Sequence, residues 1–218
     1  MIKCESLNLL IRGKQIVRDV SLSFQRGMIH GIVGRNGSGK TMLLKMLSGY
    51  LQPTSGRILV DDRELYTEMA FPPSMGLIIE SPSFFMFSTG LENLLYLAGI
   101  QGKVKRQDVL SALEIVGLTA VSGKLVRQYS LGMRQRLGIA QAIMENPMLL
   151  LLDEPFNGLD KAGLQDMHRL MTELRQNGKT ILLATHSPVD ILELCDTVSE
   201  FDRGVLIRTS KTTRSSVC

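Results

Sequence analysis

The sequence predicts an α/β fold, with a mostly parallel sheet core, an antiparallel β portion and an inserted helical subdomain. Two short apolar runs, residues 148–152 and 180–185, read as buried strands, with a helical stretch at 161–176 between them. Strand–helix–strand alternation of this kind implies a parallel sheet covered on both faces. From about residue 91 to 145 the periodicity is helical, with few strand formers in sequence, and this marks the insertion.

The remaining elements follow in chain order. Residues 1–33 read as strands: 16–24 alternates loosely, Arg26-Gly27 marks a turn, and 28–33 is an apolar run. A glycine-rich loop follows, then a helical stretch over 41–51. Pro53-Thr54-Ser55-Gly56 forms a turn before a strand at 57–60. A strand at 75–80 stops at Ser81-Pro82. The expected organisation is a single domain over 1–208, with its helical subdomain at about 85–145, and a polar tail over 209–218 that frays.

Composition narrows the function classes. Hydrophobic residues make up 44% and charged residues 21%, which supplies a large core and excludes a disordered chain. The net charge of +4 is spread without a dense Lys/Arg run, so it reads as a slightly basic surface, and no nucleic-acid partner is expected. Cys4, Cys195 and Cys218 are far apart and show neither metal nor disulfide spacing, which fits a reducing, cytosolic compartment. No signal peptide is evident. No run approaches the roughly 18 apolar residues of a spanning helix. The longest run, 148–152, is cut by Asp153.

Three motifs carry chemistry. Gly34-Arg35-Asn36-Gly37-Ser38-Gly39-Lys40-Thr41 fits G-x-x-x-x-G-K-[ST] between a strand and a helix. In such a loop the backbone N–H groups and the positive helix end face phosphates. Lys40 then reaches the β- and γ-phosphates of ATP, and the Thr41 hydroxyl can ligate Mg²⁺. Residues 149–152, four leucines, run into Asp153-Glu154. Below a phosphate loop, Asp153 is the expected metal ligand and Glu154 the residue that polarises the attacking water. The third motif is Tyr129-Ser130-Leu131-Gly132-Met133, opening a helix with Ser130 as a good N-cap and Gly132 permitting close approach to an anion.

The order of these motifs resembles the ABC ATPases, P-loop NTPases in which the phosphate loop is followed by a signature (here at Ser130), a Walker B strand (Asp153), a D-loop (Asn157-Gly158-Leu159-Asp160) and a switch histidine (His186 after Thr185). The resemblance spans roughly residues 2–208. It implies a head-to-tail pair of ATPase subunits, identical or paralogous, with each ATP between one subunit's phosphate loop and the other's signature. Ser130 and Gly132 would then serve the partner's γ-phosphate, and His186 the γ-phosphate in its own subunit. Asp160 would sit at the pair's interface. It also implies a separate transmembrane permease, and hence a cytoplasmic chain peripheral to the membrane.

Four departures from the family pattern stand out. The common signature is Leu-Ser-Gly-Gly-Gln, whereas this chain keeps only its Ser and second Gly. Glu80, in Gly76-Leu77-Ile78-Ile79-Glu80-Ser81-Pro82, occupies the place of the Q-loop glutamine. With the signature variant, it resembles the exporter branch that confers bacitracin and lantibiotic resistance or immunity. Glu80 is therefore expected both as a catalytic residue and as a ligand to Mg²⁺. Ile11 stands where relatives place an aromatic residue against adenine, and Ile16 or Val17 are the apolar substitutes. Phe84-Phe85-Met86-Phe87 lies where the family receives its membrane subunit, or else forms a local core. A soluble ABC ATPase acting on nucleic acid or ribosomes, and a P-loop kinase, are the competing classes. One phosphate loop, no sustained heptads and the presence of a signature argue against both.

Overall fold

The computed structural model describes residues 1–212. The chain opens with β1 (Ile2–Ile11) and β2 (Lys14–Phe24), a hairpin closed by Arg12-Gly13. β3 (Ile29–Val33) leads through the glycine-rich loop into α1 (Lys40–Leu47). β4 (Ser55–Val60), β5 (Arg63–Glu64) and β6 (Met75–Ile78) follow. Then come α2 (Gly90–Gln101), α3 (Arg106–Ile115) and α4 (Leu131–Ile143), the helical insertion. The chain finishes with β7 (Leu149–Asp153), α5 (Lys161–Gln176), β8 (Thr180–Thr185), α6 (Pro188–Leu194), β9 (Thr197–Asp202) and β10 (Val205–Lys211).

Two sheets result. The antiparallel one has the order β2-β1-β4-β5, and the other has the order β10-β9-β3-β8-β7-β6. In the second, every pair from β9 to β6 is parallel and the β9–β10 hairpin is antiparallel. Leu150, Leu152, Ile181 and Leu183 point into one core with the helical insertion, α5 and α6. Leu149, Leu151, Leu182 and Ala184 point into the other, with α1 and the antiparallel sheet. The alternation shows why these strands read as continuous apolar runs: both faces are buried, so neither parity is polar.

The structure corrects several expectations. The helix expected over 41–51 ends at Leu47, where Ser48 and a left-handed Gly49 (φ 86°) turn the chain. The strand expected over 75–80 ends at Ile78, because Glu80 takes a positive φ of 61° that no strand continues through. Of the tail expected to fray, residues 209–211 pair with β9, and residues 213–218 lie outside the described part. β10 is an outer strand with mostly exposed side chains, so backbone pairing orders it without an apolar pattern. The Arg208–Glu200 ion pair, 2.8 Å, spans the same hairpin.

The insertion rests against the sheet edge through α4 and β6. A Cβ at Gly76 in β6 would fall 2.0 Å from the Ala142 carbonyl oxygen of α4. Gly76→Ala is therefore expected to destabilise the fold by about 1–3 kcal/mol through overpacking, seen as a lower Tm. An unchanged Tm would mean that α4 can move away from β6 at no cost.

Candidate functional site

Parallel pairing sets the site. Val33 pairs with Thr185, and Ala184 with Asp153, so β3, β8 and β7 end at one level. The residues that follow these ends are the phosphate loop, Glu154 and His186. The phosphate loop and Glu154 line a cleft of about 830 Å³ together with Asp153, Gln135 and Asn157, and His186 is joined to it through Glu154.

The loop is shaped for an anion. Gly39 occupies the N-cap of α1 in the left-handed region (φ 107°), and no side chain caps the helix. The first N–H groups of α1 are thus left for a ligand. Lys40 is buried and donates from Nζ to the Gly34 carbonyl at 2.7 Å. Ser38 Oγ is buried without a hydrogen-bond partner among the described residues. A buried unpaired hydroxyl is costly, and its place inside the loop fits a phosphate-oxygen partner.

Across the cleft, the Thr41 hydroxyl donates to Asp153 Oδ2 at 2.7 Å. Two hard oxygen donors in contact suit Mg²⁺, which keeps several waters and takes few protein ligands. No cluster of three or more His, Cys, Asp or Glu suited to a metal occurs among the described residues. Glu154 has a positive φ of 47° and its backbone N–H donates to the Ala184 carbonyl at 2.8 Å. That turn lifts its carboxylate out of the sheet, where Oε1 lies 2.7 Å from His186 Nδ1. Gln135 of α4 donates to the Glu154 carbonyl at 3.3 Å, a contact that no motif spacing signalled.

Other expected residues lie elsewhere. Ser130 accepts the Met133 N–H and caps α4, and neither it nor Gly132 lines this cleft. Asp160 caps α5 by accepting the Gly163 N–H. Ile11 lines a second cleft rather than this one, Ile16 lines this one, and Val17 is fully buried in the core. Glu80 borders both clefts, but its carboxylate is held by Lys45 Nζ at 2.6 Å and not by the Thr41–Asp153 pair. Lys45 lies one turn beyond Thr41 on α1, and sequence reasoning missed it.

The second cleft, about 660 Å³, is largely apolar and includes Tyr50, Leu51, Leu77, Ile79 and Pro82. Near its Glu80–Ser83 wall the four-residue apolar run divides. Phe84 packs against the helical core, whereas Phe85 and Phe87 are 57% and 79% exposed. Asn93, buried at 2%, accepts the Phe85 N–H and donates to the Phe85 carbonyl, which fixes the backbone with the ring outward. Tyr96 meets Phe85 edge-on, and the Arg127 guanidinium covers the Phe87 ring at 5.5 Å.

Residues 17–157 match the family model described as ABC transporter. The chain is 39% identical over 211 residues to an ABC transporter ATP-binding protein of Bacillus subtilis, YybJ, covering 97% of each. It is 38% identical over 209 residues to the bacitracin transport ATP-binding protein BcrA of Enterococcus faecalis, covering 95% of this chain and 68% of that one. A dimeric ATP-binding cassette solved in a post-hydrolysis state with ADP and Pi superposes with a TM-score of 0.88 at 22% identity, covering 97% and 98% of the two chains, which shows a shared fold.

The split of the Phe84–Phe87 run gives a direct test. Phe84 is partly buried, so Phe84→Ala should lower stability by less than the roughly 3 kcal/mol of a fully buried Phe. Phe87→Ser should change stability by less than about 0.5 kcal/mol. Thermal unfolding of both variants checks it, and a large loss for Phe87→Ser would make that ring part of the core.

Proposed function

The chain belongs to the ABC transporter family of ATP-hydrolysing subunits, and on that premise we propose that it works as one of two such subunits driving a separate permease, as an exporter of antimicrobial peptides or drugs. The observation that carries the catalytic part is the contact between Glu154 and His186 at the mouth of a phosphate loop. The likeness to a bacitracin transport ATPase and the glutamate at position 80 support the cargo class. No helix among the described residues is long and apolar enough to cross a membrane. In this proposal the crossing is made by the permease and the chain lies against the cytoplasmic face.

In the proposed reaction a water oxygen attacks the γ-phosphorus of ATP, the bond to the bridging oxygen of ADP breaks, and ADP and inorganic phosphate leave. The N–H groups of residues 34–41 bind the phosphates, with Ser38 Oγ as a further donor. Lys40 turns from the Gly34 carbonyl to the β- and γ-oxygens. Glu154 orients and polarises the water. His186 steadies Glu154 and hydrogen-bonds the γ-phosphate. Mg²⁺ held at Thr41 and Asp153 would neutralise charge on the phosphate oxygens. Of the signature turn Leu131 lines this chain's cleft whereas Ser130 and Gly132 do not; in this proposal those two serve a second subunit's ATP, with Asp160 at the interface between the two. Ile16 supplies an apolar contact for the base. The second cleft, with Phe85 and Phe87 beside it, is the proposed seat of the permease, and Glu80 connects the two clefts.

Glu154→Gln should bind ATP, lose most turnover and accumulate as an ATP-dependent dimer, followed by phosphate release and gel filtration. Hydrolysis at the parent rate would remove Glu154 from the role. For Glu80, a carboxylate is a harder metal ligand than an amide, and Glu80→Gln also loses the charge facing Lys45. The variant should keep ATP binding but shift the Mg²⁺ dependence of hydrolysis and weaken transport. Superimposable Mg²⁺ titrations with intact transport would leave Glu80 as a tolerated substitution.

A further inference from the structure

On the far side of the switch histidine, α5 and α6 enclose a second imidazole. His168 is 6% exposed, and both of its ring nitrogens face carboxylates: Nε2 lies 2.9 Å from Asp190 Oδ1 and Nδ1 lies 2.7 Å from Glu193 Oε2. A neutral imidazole has one N–H and one lone pair, so it can donate to only one of two ionised carboxylates and repels the other. With both carboxylates ionised, only the imidazolium donates to the two of them at once. Burial pushes the His168 pKa down, but the hydrogen bonds and charges of Asp190 and Glu193 outweigh it and hold it above the ordinary histidine value.

From Asp190 a chain of contacts leads to the reaction site. Asp190 is 3% exposed, and its second oxygen accepts the Thr185 hydroxyl at 2.8 Å. That hydroxyl accepts the Ser187 N–H at 3.0 Å. The residues on either side of His186 are therefore both fixed through Asp190. Phe156, two residues after Glu154, meets the His168 ring in a T-shaped contact with centroids 5.1 Å apart. His168 thus touches the segment after Glu154 directly and the segment around His186 through one carboxylate. A neutral His168 keeps a single N–H, so loss of its proton leaves it able to hold one of the two carboxylates and breaks one arm of the clasp between α5 and α6.

We propose that His168, as an imidazolium, is a positioning residue that holds the loop carrying His186 against Glu154, so that the rate of ATP hydrolysis depends on the protonation of a side chain outside the nucleotide cleft. The proposal rests on the role assigned above to Glu154 and His186. The groups facing His168 are Asp190 and Glu193 from α6, the uncharged Phe156 from the loop before α5, and, bordering the same surface groove on its own helix, Arg169 and Glu173. Arg169 is engaged with Asp166. A folded-state pKa raised above the unfolded one means that the clasp is complete below the unfolded value and is lost as pH rises through the folded value. Turnover is expected to follow the same direction.

The experiment compares the full chain with His168→Gln, a neutral side chain, and His168→Arg, a permanent cation, across pH at a temperature well below every Tm. NMR titration of the His168 ring, assigned by its absence in His168→Gln, gives its pKa. The parent's kcat should fall with a midpoint at that pKa. His168→Gln should lose kcat about tenfold at neutral pH, the low end for removing an outer orienting partner, with KM for ATP unchanged. His168→Arg should restore kcat and lose the alkaline fall. His186→Ala runs alongside. If it is inactive while His168→Gln keeps the parent's kcat and pH profile, with or without a lower Tm, this proposal fails and the role of His186 stands. Full activity of His186→Ala overturns both.

Discussion

The structure depends on the parallel register of β3, β8 and β7. Val33 lies opposite Thr185, and Ala184 opposite Asp153. A slip of one residue in any of these pairs would exchange the side chains packed into the two cores and move a loop by about 3 Å. Because both faces are buried, the hydrophobic cores on each side oppose such slips. The cores therefore do more than hold the fold together. They bring the phosphate loop, Glu154 and His186 to one level, at the carboxyl ends of the strands where open α/β sheets bind ligands.

How much of this was legible in the sequence follows from the same physics. β7 and β8 announced themselves because fully buried strands are uniformly apolar, and α5 was read close to its observed bounds as the helical stretch between them. The phosphate loop was legible because its spacing is fixed by the anion it surrounds. The β9–β10 hairpin was missed, since one of its strands is an exposed outer strand ordered by backbone pairing. α6 was missed for its length of seven residues, although Ser187-Pro188 carries a start signal, an N-cap followed by proline at the first helical position. The contacts of Lys45 and of Gln135, which lies in the signature helix, had no signal. Their partners, Glu80 and the Glu154 carbonyl, lie 35 and 19 residues away in the chain, a distance that no local pattern encodes.

The Lys45–Glu80 pair gives the clearest physical reason for a glutamate at this position. The two side chains are 25% and 63% exposed, so their ion pair is screened and weak. A weak pair is suited to exchange. Lys45 shares α1 with Lys40 and Thr41, so Glu80 is tied to the helix that begins at the phosphate loop, whereas a neutral glutamine would be held there by a hydrogen bond without the charge. Its left-handed backbone ends β6 and places the side chain at the boundary of the two clefts.

The buried cluster around His168 differs in kind from that exposed pair. Asp190 has no solvent to stabilise its charge, so its partners must do so: one cation, one hydroxyl and the start of α6. Such a cluster has few alternative arrangements, because each leaves a buried polar group unsatisfied. It can therefore fix the position of a neighbouring loop more sharply than packing alone, and it does so on the two residues that bracket His186. The phosphate loop's face of the site is held by strand register and glycine geometry, and the histidine's face by a buried charge.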